Sequence, residues 1–425
     1  MKEPGSANQW RSSIQEGLCG ARIDQSEGRD SIAQLYEHIL LDDVLPFWFP
    51  SCVDEASGGF FSCLDQGGKV YETDKSVWAQ GRMSWMLLRL YLDRDQNPEW
   101  LHWACHGIEF LDQHGFDSDG RMFFLLDRQG KALRKRRYAF SESFAAIAYA
   151  LHAKATQNAA SADRSMALLK HFMHWHLDPT SAFESKGTGV RPTVSLGPYM
   201  IALVTAQELR DALGNEAFFN PIVDQMIESI LKLFVHPELS CVLEEATPDG
   251  NVSPHLEGQT LNPGHAIEAA WIVIHEGAIR GETAWVDAGC HMLDWMFQRA
   301  WDPVHGGLLY YTSLNGLPVQ EYWHDMKFWW PHNEALIATI YAYQQTREPR
   351  YAKMHEQVHH WAFSHFQDTQ HGEWFGYLHR DGTVSNQVKG NLWKSAFHHP
   401  RALHIGASLL RKQATQAYAR NPLDR

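Results

Sequence analysis

The segment PGHAIEAAWIVIH, residues 263–275, decides the fold, because five other segments of the chain repeat its design. Each follows a loop with Gly or Pro nearby and continues as an apolar stretch rich in small residues. Apolar residues cover nearly the full circumference of these predicted helices, which indicates burial on most sides. The other five segments begin at Gln80, Phe140, Gly197, Pro331 and His399, so the starts lie 57 to 68 residues apart.

Six more segments have larger polar faces and alternate with the buried helices, which predicts an outer layer. They begin near Ser31, Trp100, Arg164, Phe219, Trp285 and Tyr351. A strand–turn–strand pattern with a Gly-bearing turn follows five of them. These patterns span residues 58–70, 120–133, 240–252, 306–319 and 372–384, whereas residues 181–195 predict an irregular loop.

Self-similarity at a fixed period is the signature of a repeat architecture. Six outer helices, six inner helices and hairpins collected at one end predict an all-α (α/α)6 barrel. Residues 29–425 are predicted to form this barrel as a single domain, and residues 1–28 a polar N-terminal tail. The inner helices begin where the hairpins end, so their N-termini are expected to ring one mouth and give it a positive potential.

Composition and charge limit the classes of binding partner and the cellular location that we expect. The net charge of −13 argues against nucleic acid or an anionic membrane. The basic run KALRKRRY, residues 131–138, is interpreted as a solvated hairpin end, with an anion site near a pocket as the alternative. Six Cys without a CxxC pair predict reduced thiols, and the absence of an apolar signal segment or membrane span predicts a cytoplasmic location. Seventeen Trp can line a carbohydrate pocket or fill a large helical core.

Few polar residues stand at the starts of the buried helices, where packing alone would not select them. His265 lies in the first turn of its helix, and Glu268 follows three residues later on the same face. Because a helix N-terminus disfavours imidazolium, we expect His265 to be neutral and to act as a base. Glu268 can fix the tautomer of His265 or hold a substrate hydroxyl. A helix cap with a dipole-complementing carboxylate is the structural alternative.

Three further helix starts carry such residues. The proline of HHPRAL suits a first helical turn and places His398 just outside the helix, although spacing does not choose between His398 and His399. Trp330 and Glu334 can present a stacking face and a carboxylate together, or serve as a core Trp and a dipole-complementing Glu. Arg82 needs an anion, a polarised oxygen or an ion pair to offset its desolvation.

Two stretches match metal-site patterns. HEQVH, residues 355–359, fits HExxH, but it lies early in an outer helix and is interpreted as a solvated helix face. HFMHWH, residues 171–176, is interpreted as an outer helix end. The sequence contains no convincing metal set, Walker A motif, GxGxxG or nucleophile elbow.

Two histidines on well-separated inner helices that face one cavity suit a two-base proton transfer. One removes the proton α to a carbonyl, and the other returns a proton on the opposite face. Arg82 can supply the cation that the enediolate oxygen needs.

Five motifs, spread in order over residues 80–403, resemble those of the N-acylglucosamine 2-epimerase family. They are QGR (80–82), FSESFA (140–145), NPGHAIEAAW (262–271), MKFWWPHNEAL (326–336) and, within 375–403, FGYLHRDG with KGNLWKSAFHHPRAL. The resemblance implies an (α/α)6 barrel that epimerises a ring-opened sugar at C2 or interconverts the aldose and the ketose. The isomerase branch typically has a His-containing motif at the third inner helix, and RPTVSLGPYMIAL (191–203) looks more like the epimerase branch.

The resemblance also implies roles for single residues. The catalytic histidines fall on His265 and His398, the pocket arginine on Arg82, the pocket carboxylates on Glu268 and Glu334, and the sugar-packing tryptophans on Trp271 and Trp330. It implies a monosaccharide or amino-sugar substrate, either N-acylglucosamine/N-acylmannosamine or glucose/mannose, and no required metal or redox cofactor. Allosteric activation by ATP and assembly as a homodimer are left open.

Three alternatives compete with epimerisation. An aldose–ketose isomerase of the mannose isomerase type would accumulate a ketose. An (α/α)6 glycoside hydrolase requires two carboxylates across a glycosidic bond, and Glu268 and Glu334 can be read that way. A non-catalytic sugar-binding protein on the same barrel would leave aldoses unchanged.

Overall fold

The computed structural model describes residues 21–135, 139–178, 181 and 190–419, and twelve long helices dominate this part of the chain. The outer helices are α1 (Ser26–Ile39), α3 (Pro98–His114), α5 (Ala159–Leu177), α7 (Glu216–Leu233), α9 (Thr283–Ala300) and α11 (Pro349–His365). The inner helices are α2 (Val77–Asp93), α4 (Phe140–Thr156), α6 (Leu196–Leu213), α8 (Pro263–Arg280), α10 (Trp329–Thr346) and α12 (His398–Ala419). The predicted alternation of outer and inner helices is confirmed.

The inner helices form a closed ring in which each one contacts the next and α12 contacts α2. Each inner helix also packs against the outer helix that follows it in the chain, and the last inner helix, α12, packs against α1. Residues 329–343 of α10 are buried without interruption, as expected for a helix covered on most sides. The structure is therefore the predicted (α/α)6 barrel, with all inner helices starting at one end, the mouth.

The folded part of the chain begins before the predicted tail boundary. Helix α1 starts at Ser26, and Ile23 ahead of it is fully buried, so the boundary at residue 28 is placed too late. A π-helical turn, Leu40–Val44, and a short helix, Leu45–Trp48, continue α1 toward the mouth. Two more short helical turns, Pro237–Leu239 and Leu256–Gln259, lie between α7 and α8.

Fourteen short strands in the described residues form six small antiparallel sheets in the connections at the mouth. They are β1 (Cys63–Leu64), β2 (Val70–Glu72), β3 (Lys75–Ser76), β4 (Phe123–Leu126), β5 (Ala132–Lys135), β6 (Val194–Ser195), β7 (Val235–His236), β8 (Cys241–Val242), β9 (Glu245–Ala246), β10 (Thr260–Leu261), β11 (Thr312–Ser313), β12 (Lys327–Phe328), β13 (Tyr377–Leu378) and β14 (Val384–Asn386).

Three of the five predicted hairpins form, because β1 pairs with β2, β4 with β5 and β13 with β14. The other two predictions are wrong: β8 and β9 pair with β7 and β6, and β11 pairs with β10. The strands that lead into α6 and α8, β6 and β10, occupy the edge that a local hairpin would have used. Most of the predicted irregular loop, residues 182–189, lies outside the described residues.

A buried ion pair holds the first connection at the mouth. Asp54 and Lys75 are 2.8 Å apart and both almost fully buried, and Arg128 in the β4–β5 turn binds the same carboxylate at 2.8 and 2.9 Å. Burial acts to raise the pKa of Asp54, but the Arg128 and Lys75 cations hold it well below its usual range. The loop after α1, the strand before α2 and the next hairpin are thus tied together.

The same tie recurs in two more units. Asp302 binds Lys327 and Arg380, and Asp368 binds Lys389 and Gln66. In the first hairpin, Gln66 takes the position that Arg128 and Arg380 take in theirs. Because Gln66 and Asp368 are 302 residues apart, this third tie joins the last unit to the first.

The interpretation of HEQVH as a solvated face is wrong. His355 and His359 are buried, and the hydroxyl of Tyr36 in α1 lies 3.3 Å from Nε2 of His355 and 2.8 Å from Nδ1 of His359. The two histidines are four residues apart and so share the face of α11 that packs on α1. By contrast, HFMHWH lies at the end of outer helix α5, as predicted.

Three further features of the described residues relate to the sequence analysis. Strand β5 of the basic hairpin is exposed, and residues 136–138 of that run lie outside the description. Five cysteines are unpaired and at least partly buried, namely Cys52, Cys63, Cys105, Cys241 and Cys290, whereas Cys19 is not described. A search of the described helices found none that is long and apolar enough to cross a bilayer.

Candidate active site

A cavity of about 810 Å³ opens at the mouth and is lined by residues of all six inner helices. Six predicted site residues lie in its wall: Arg82, His265, Glu268, Trp271, Trp330 and His398. Aromatic side chains from the connections, including Tyr310, Tyr311, Trp323 and Tyr377, complete the upper wall. The seventh predicted residue, Glu334, is fully buried and does not reach the cavity.

His265 lies in the first turn of α8, where Asn262 caps the helix by accepting the His265 N–H at 3.2 Å. Nδ1 of His265 hydrogen-bonds Glu244 at 2.9 Å, and 33% of the side chain is exposed, on the cavity side. Burial acts to lower the pKa of His265, but the charge and hydrogen bond of Glu244 outweigh it, so the pKa is raised. The shift is opposite to the one expected from the helix dipole, because the Glu244 carboxylate has the larger effect on His265.

His398 is the first residue of α12, and its Nδ1 hydrogen-bonds Oε1 of Glu334 at 2.7 Å. Burial lowers the pKa of His398 well below its usual value, and the nearby Arg401 and Arg82 cations lower it further. His398 is therefore neutral, with its unbonded Nε2 available as a proton acceptor. His399 instead bonds Asn333 at 3.0 Å and does not line the cavity, so the structure favours His398 for the mouth.

Glu334 organises the floor below His398 and has no oxygen left for a ligand. Oε1 accepts hydrogen bonds from His398 and Arg401, and Oε2 accepts one from Nε1 of Trp271 at 2.9 Å. The prediction that Glu334 and Trp330 present a carboxylate and a stacking face together is wrong. Only Trp330 lines the cavity, because the carboxylate points back into the barrel wall.

Arg401 was not identified from the sequence. Its guanidinium is buried and donates to Oε1 of Glu268 at 2.9 Å as well as to Glu334. No described residue donates to the second oxygen of Glu268, which is a cavity residue. The signal was available, since Arg401 follows His398 by the three-residue step that separates Glu268 from His265.

The same cluster bears on metal binding and on hydrolysis. Ligand atoms of Glu268, Glu334 and His398 lie within 4.8 Å of one another, the one such group found among the described residues. Arg401 already binds Oε1 of both carboxylates and offsets one of their two negative charges, so the donor set does not fit a metal ion. A glycosidase needs its carboxyl groups about 5–9.5 Å apart across a substrate, and two carboxylates that share one arginine do not fit that role.

Arg82 is buried yet lacks a carboxylate within ion-pair distance among the described residues. Its guanidinium lies over the rings of Phe144 at 4.0 Å and Phe397 at 4.8 Å, and its Nε has no hydrogen-bond partner. Burial lowers the pKa of Arg82. A desolvated cation with unused donors in a cavity wall is suited to bind a negatively charged oxygen.

Trp330 brings the two histidines into one site. Its ring centroid lies 5.2 Å from that of His265 and 5.9 Å from that of His398. A Cβ on Gly264 would stand only 2.5 Å from this indole, so a glycine is needed at the start of α8 for the close approach. Both histidines thus present Nε2 near one aromatic face.

Sequence reasoning also missed Glu244, which holds His265. Glu244 lies in the loop between β8 and β9, and its carbonyl accepts the N–H of Leu196 at the start of α6. Nothing in the dipeptide EE of residues 244–245 marks one carboxylate as the partner of a histidine 21 positions away.

An (α/α)6 barrel with paired histidines, an unpaired arginine and an aromatic cavity defines the class of barrel enzymes that epimerise or isomerise sugars. Solved structures support the fold: a cellobiose 2-epimerase from Bacillus thermoamylovorans superposes with a TM-score of 0.77 at 18% identity, covering 89% of this chain and 99% of the other. A D-mannose isomerase superposes with a TM-score of 0.74 at 20% identity, covering 88% and 97%.

The family model described as N-acylglucosamine 2-epimerase (GlcNAc 2-epimerase) matches residues 59–402, and the chain belongs to this family. The N-acylglucosamine 2-epimerase of Bos taurus is 34% identical over 87% of this chain and 89% of its own length. The Homo sapiens protein of the same name is 32% identical over 92% and 93%. The chain is accordingly an isomerase of the sugar 2-epimerase type.

Proposed function

We propose that the protein interconverts N-acylglucosamine and N-acylmannosamine, in their ring-opened forms, by moving a proton at C2. Glucose and mannose are the second candidate pair. The observation that carries the proposal is the placement of two histidines on different inner helices, each held at Nδ1 by a carboxylate and both against Trp330. The relatives at 32% and 34% identity, whose names specify N-acylglucosamine, favour the acylated pair.

In the proposed reaction, Nε2 of neutral His398 takes the C2 proton of the open-chain aldose. The electrons of the C–H bond form the C1–C2 double bond, and the carbonyl oxygen becomes an enolate oxygen. Arg82 neutralises this oxygen. Protonated His265 then delivers a proton from Nε2 to the opposite face of C2, which restores the aldehyde with inverted configuration. The reverse reaction uses the histidines in exchanged roles.

The remaining residues bind or position. Glu268 accepts a sugar hydroxyl through its second oxygen, and Trp330 and Trp271 pack against the carbon chain. Glu244 and Glu334 act through the histidines and are positioning residues. All reacting groups then belong to the chain itself, so the proposal includes no metal or redox cofactor.

Location, assembly and regulation are also part of the proposal. We infer a cytoplasmic protein of carbohydrate metabolism that consists of one barrel domain, which includes α1 from Ser26 onward. Unpaired thiols among the described residues support a reducing compartment. Activation by ATP and a homodimeric state are tested by adding ATP to the purified protein and by sedimentation.

Incubation of the purified protein with N-acetylmannosamine in heavy water tests the mechanism. We expect N-acetylglucosamine to form with deuterium at C2, as followed by proton NMR. Epimer that retains all of its C2 protium would overturn the two-histidine scheme. The same assay with mannose and glucose identifies the substrate pair, and accumulation of a ketose would instead identify an aldose–ketose isomerase.

A further inference from the structure

The cavity continues well below the histidines. His265 and His398 lie within the first three residues of α8 and α12. At 1.5 Å per residue, Ile405 lies about 10 Å further along α12 than His398, and Glu208 about 18 Å from the start of α6. Both residues still line the cavity. The sugar carbons react at the level of the helix starts. The cavity therefore extends two to three helical turns, roughly 10–18 Å, below them.

This lower chamber is defined by the deepest cavity residues of α2, α4, α6 and α12: Trp85, Ile147, Val204, Thr205, Glu208 and Ile405. Most of its wall is apolar. The polar groups that can bind hydroxyls, such as Glu268, Arg82 and Tyr311, lie in the upper part of the cavity. Thr205 and Oε1 of Glu208 can replace only a few of the hydrogen bonds to water that a polyol chain would lose in the lower chamber, whereas an alkyl chain would gain from burial.

Glu208 sets the polarity of the chamber floor. Its Oε2 accepts hydrogen bonds from Nε1 of Trp85 at 2.9 Å and from Arg89 at 2.6 Å. No described residue donates to its Oε1. A second carboxylate brought into the chamber would face this one in a poorly solvated site, which disfavours an anionic ligand group.

We propose that the lower chamber receives the acyl chain carried by the C2 nitrogen of the substrate, and that the protein epimerises N-acyl sugars whose neutral acyl groups are longer than acetyl. This inference rests on the proposed function, since it requires C2 to lie between the two histidines. The inference adds that the residues of the lower chamber select the substrate by the length and charge of its acyl group rather than by its sugar hydroxyls.

A matched substrate series tests the chamber. The purified protein is given the N-acetyl, N-butanoyl and N-succinyl derivatives of mannosamine, and kcat/KM is measured from the appearance of the C2 epimer by NMR. We expect N-butanoyl to react within about tenfold of N-acetyl. N-succinyl, which has the same carbon chain but ends in a carboxylate, is expected to be roughly 100-fold worse than N-butanoyl.

Two substitutions change the chamber in opposite directions. Val204→Phe fills it and is expected to lower the butanoyl-to-acetyl ratio of kcat/KM by about tenfold or more. Ile147→Ala enlarges it and is expected to raise that ratio. Ile279→Phe adds comparable bulk at an exposed position of α8 outside the cavity and serves as the control, with an unchanged ratio.

Three results with the N-acyl series would overturn the inference while the N-acetyl sugar still reacts: wild-type activity on N-butanoyl at least roughly 100-fold below N-acetyl, equal activity on N-butanoyl and N-succinyl, or a butanoyl-to-acetyl ratio that Val204→Phe leaves unchanged. Each leaves epimerisation of the N-acetyl sugar intact. Failure of the proposed function looks different, because then no aldose exchanges its C2 proton. Epimerisation of mannose with no activity on any N-acyl sugar also overturns the inference while the histidine mechanism survives.

Discussion

The two histidines of the site look alike in sequence but occupy opposite electrostatic surroundings. His265 is paired with Glu244, a partly exposed residue of a connection, and no arginine among the described residues binds this pair. His398 is paired with Glu334, which is fully buried, and Arg401 and Arg82 stand nearby. The pKa of His265 is raised by Glu244 against the effect of burial, whereas burial and the two cations lower the pKa of His398.

This difference indicates that His265 starts as the acid and His398 as the base. Two identical side chains whose environments move their pKa values apart can hold one proton between them in a defined place. The directions of the two pKa shifts favour the proton on His265 and a free lone pair on His398. The helix N-termini are common to both histidines, so the carboxylates and arginines around them create the asymmetry.

Removing either ring is expected to have the largest effect. His265→Ala and His398→Ala should each lower kcat by roughly 10³-fold or more, because each deletes a proton-transfer group. The measurement is epimer formation by NMR, with thermal melting as the control for folding. Exchange in heavy water sharpens the comparison, since each variant should still exchange the C2 proton of one epimer but not of the other. Near wild-type turnover in either variant would remove that histidine from the mechanism.

Substituting the buried carboxylate, Glu334, should cost more activity and stability than substituting the partly exposed one, Glu244. Glu334→Gln is expected to lower kcat by about 100-fold, because it weakens the hold on His398 and on Arg401. It should also destabilise the fold by about 3 kcal/mol in urea unfolding, since a buried arginine loses a partner. Glu244→Gln is expected to cost only about tenfold in kcat with little change in stability. Equal losses in both variants would contradict the asymmetry.

Glu244→Gln should also move the pH profile. Without the carboxylate the pKa of His265 falls, so in the direction that uses His265 as acid the loss of kcat/KM at high pH should begin at a lower pH. In the opposite direction, where His265 is the base, activity should extend to lower pH. Glu245→Gln is the matched control, because Glu245 bonds Thr193 and does not contact His265. Profiles that coincide for all three proteins would exclude Glu244 as the group that sets this pKa.

The smallest expected effect concerns stability between pH 7.5 and 5.5. The folded pKa of His398 is depressed, so below the unfolded value of about 6.5 only the unfolded chain takes up its proton and stability falls. His398→Asn should therefore lose less stability than wild type, by at most about 1.4 kcal/mol per pH unit.

His265 has the opposite sign, because its raised pKa contributes stability that is fully present below about pH 6.5 and is lost as pH rises through the folded value. His265→Asn should then be less stable than wild type near pH 5.5. The change should be smaller than for His398→Asn, because His265 is partly exposed. Urea unfolding at a series of pH values gives the difference in stability between each variant and wild type as a function of pH. If this difference changed with pH in the same direction for both variants, the comparison of the two histidines would be wrong.

The barrel could be predicted because its evidence is periodic and local. Each inner helix carries its own signal of all-round apolar residues, and six such signals at similar spacing leave few architectures. Hairpins at residues 240–252 and 306–319 failed because β8 pairs with β7 just before it, and β9 and β11 pair with the distant strands β6 and β10. A turn motif cannot report a competing partner outside the hairpin. The buried HEQVH failed for a related reason, since polarity alone does not show which face of α11 meets Tyr36.

In the candidate site, too, the residues with a local sequence signal could be predicted, and those that depend on tertiary contacts could not. His265 and His398 stand at helix starts and were found there. The direction of Glu334, into the wall rather than into the cavity, depends on Trp271 and Arg401 from neighbouring helices, and spacing within one helix does not contain it. Glu244 depends on a loop that folds against α6 and α8, so only the tertiary structure pairs it with His265.

The contact between α1 and α12 has a consequence for synthesis on the ribosome. Every other outer helix finds its inner partner just upstream, but α1 packs on the last helix made. Its buried residue Tyr36 contacts α11 and α12, so this apolar face stays partly uncovered until α12 emerges. We expect nascent chains that stop before residue 398 to need chaperone protection, and a circular permutant that places α1 directly after α12 to shorten that wait.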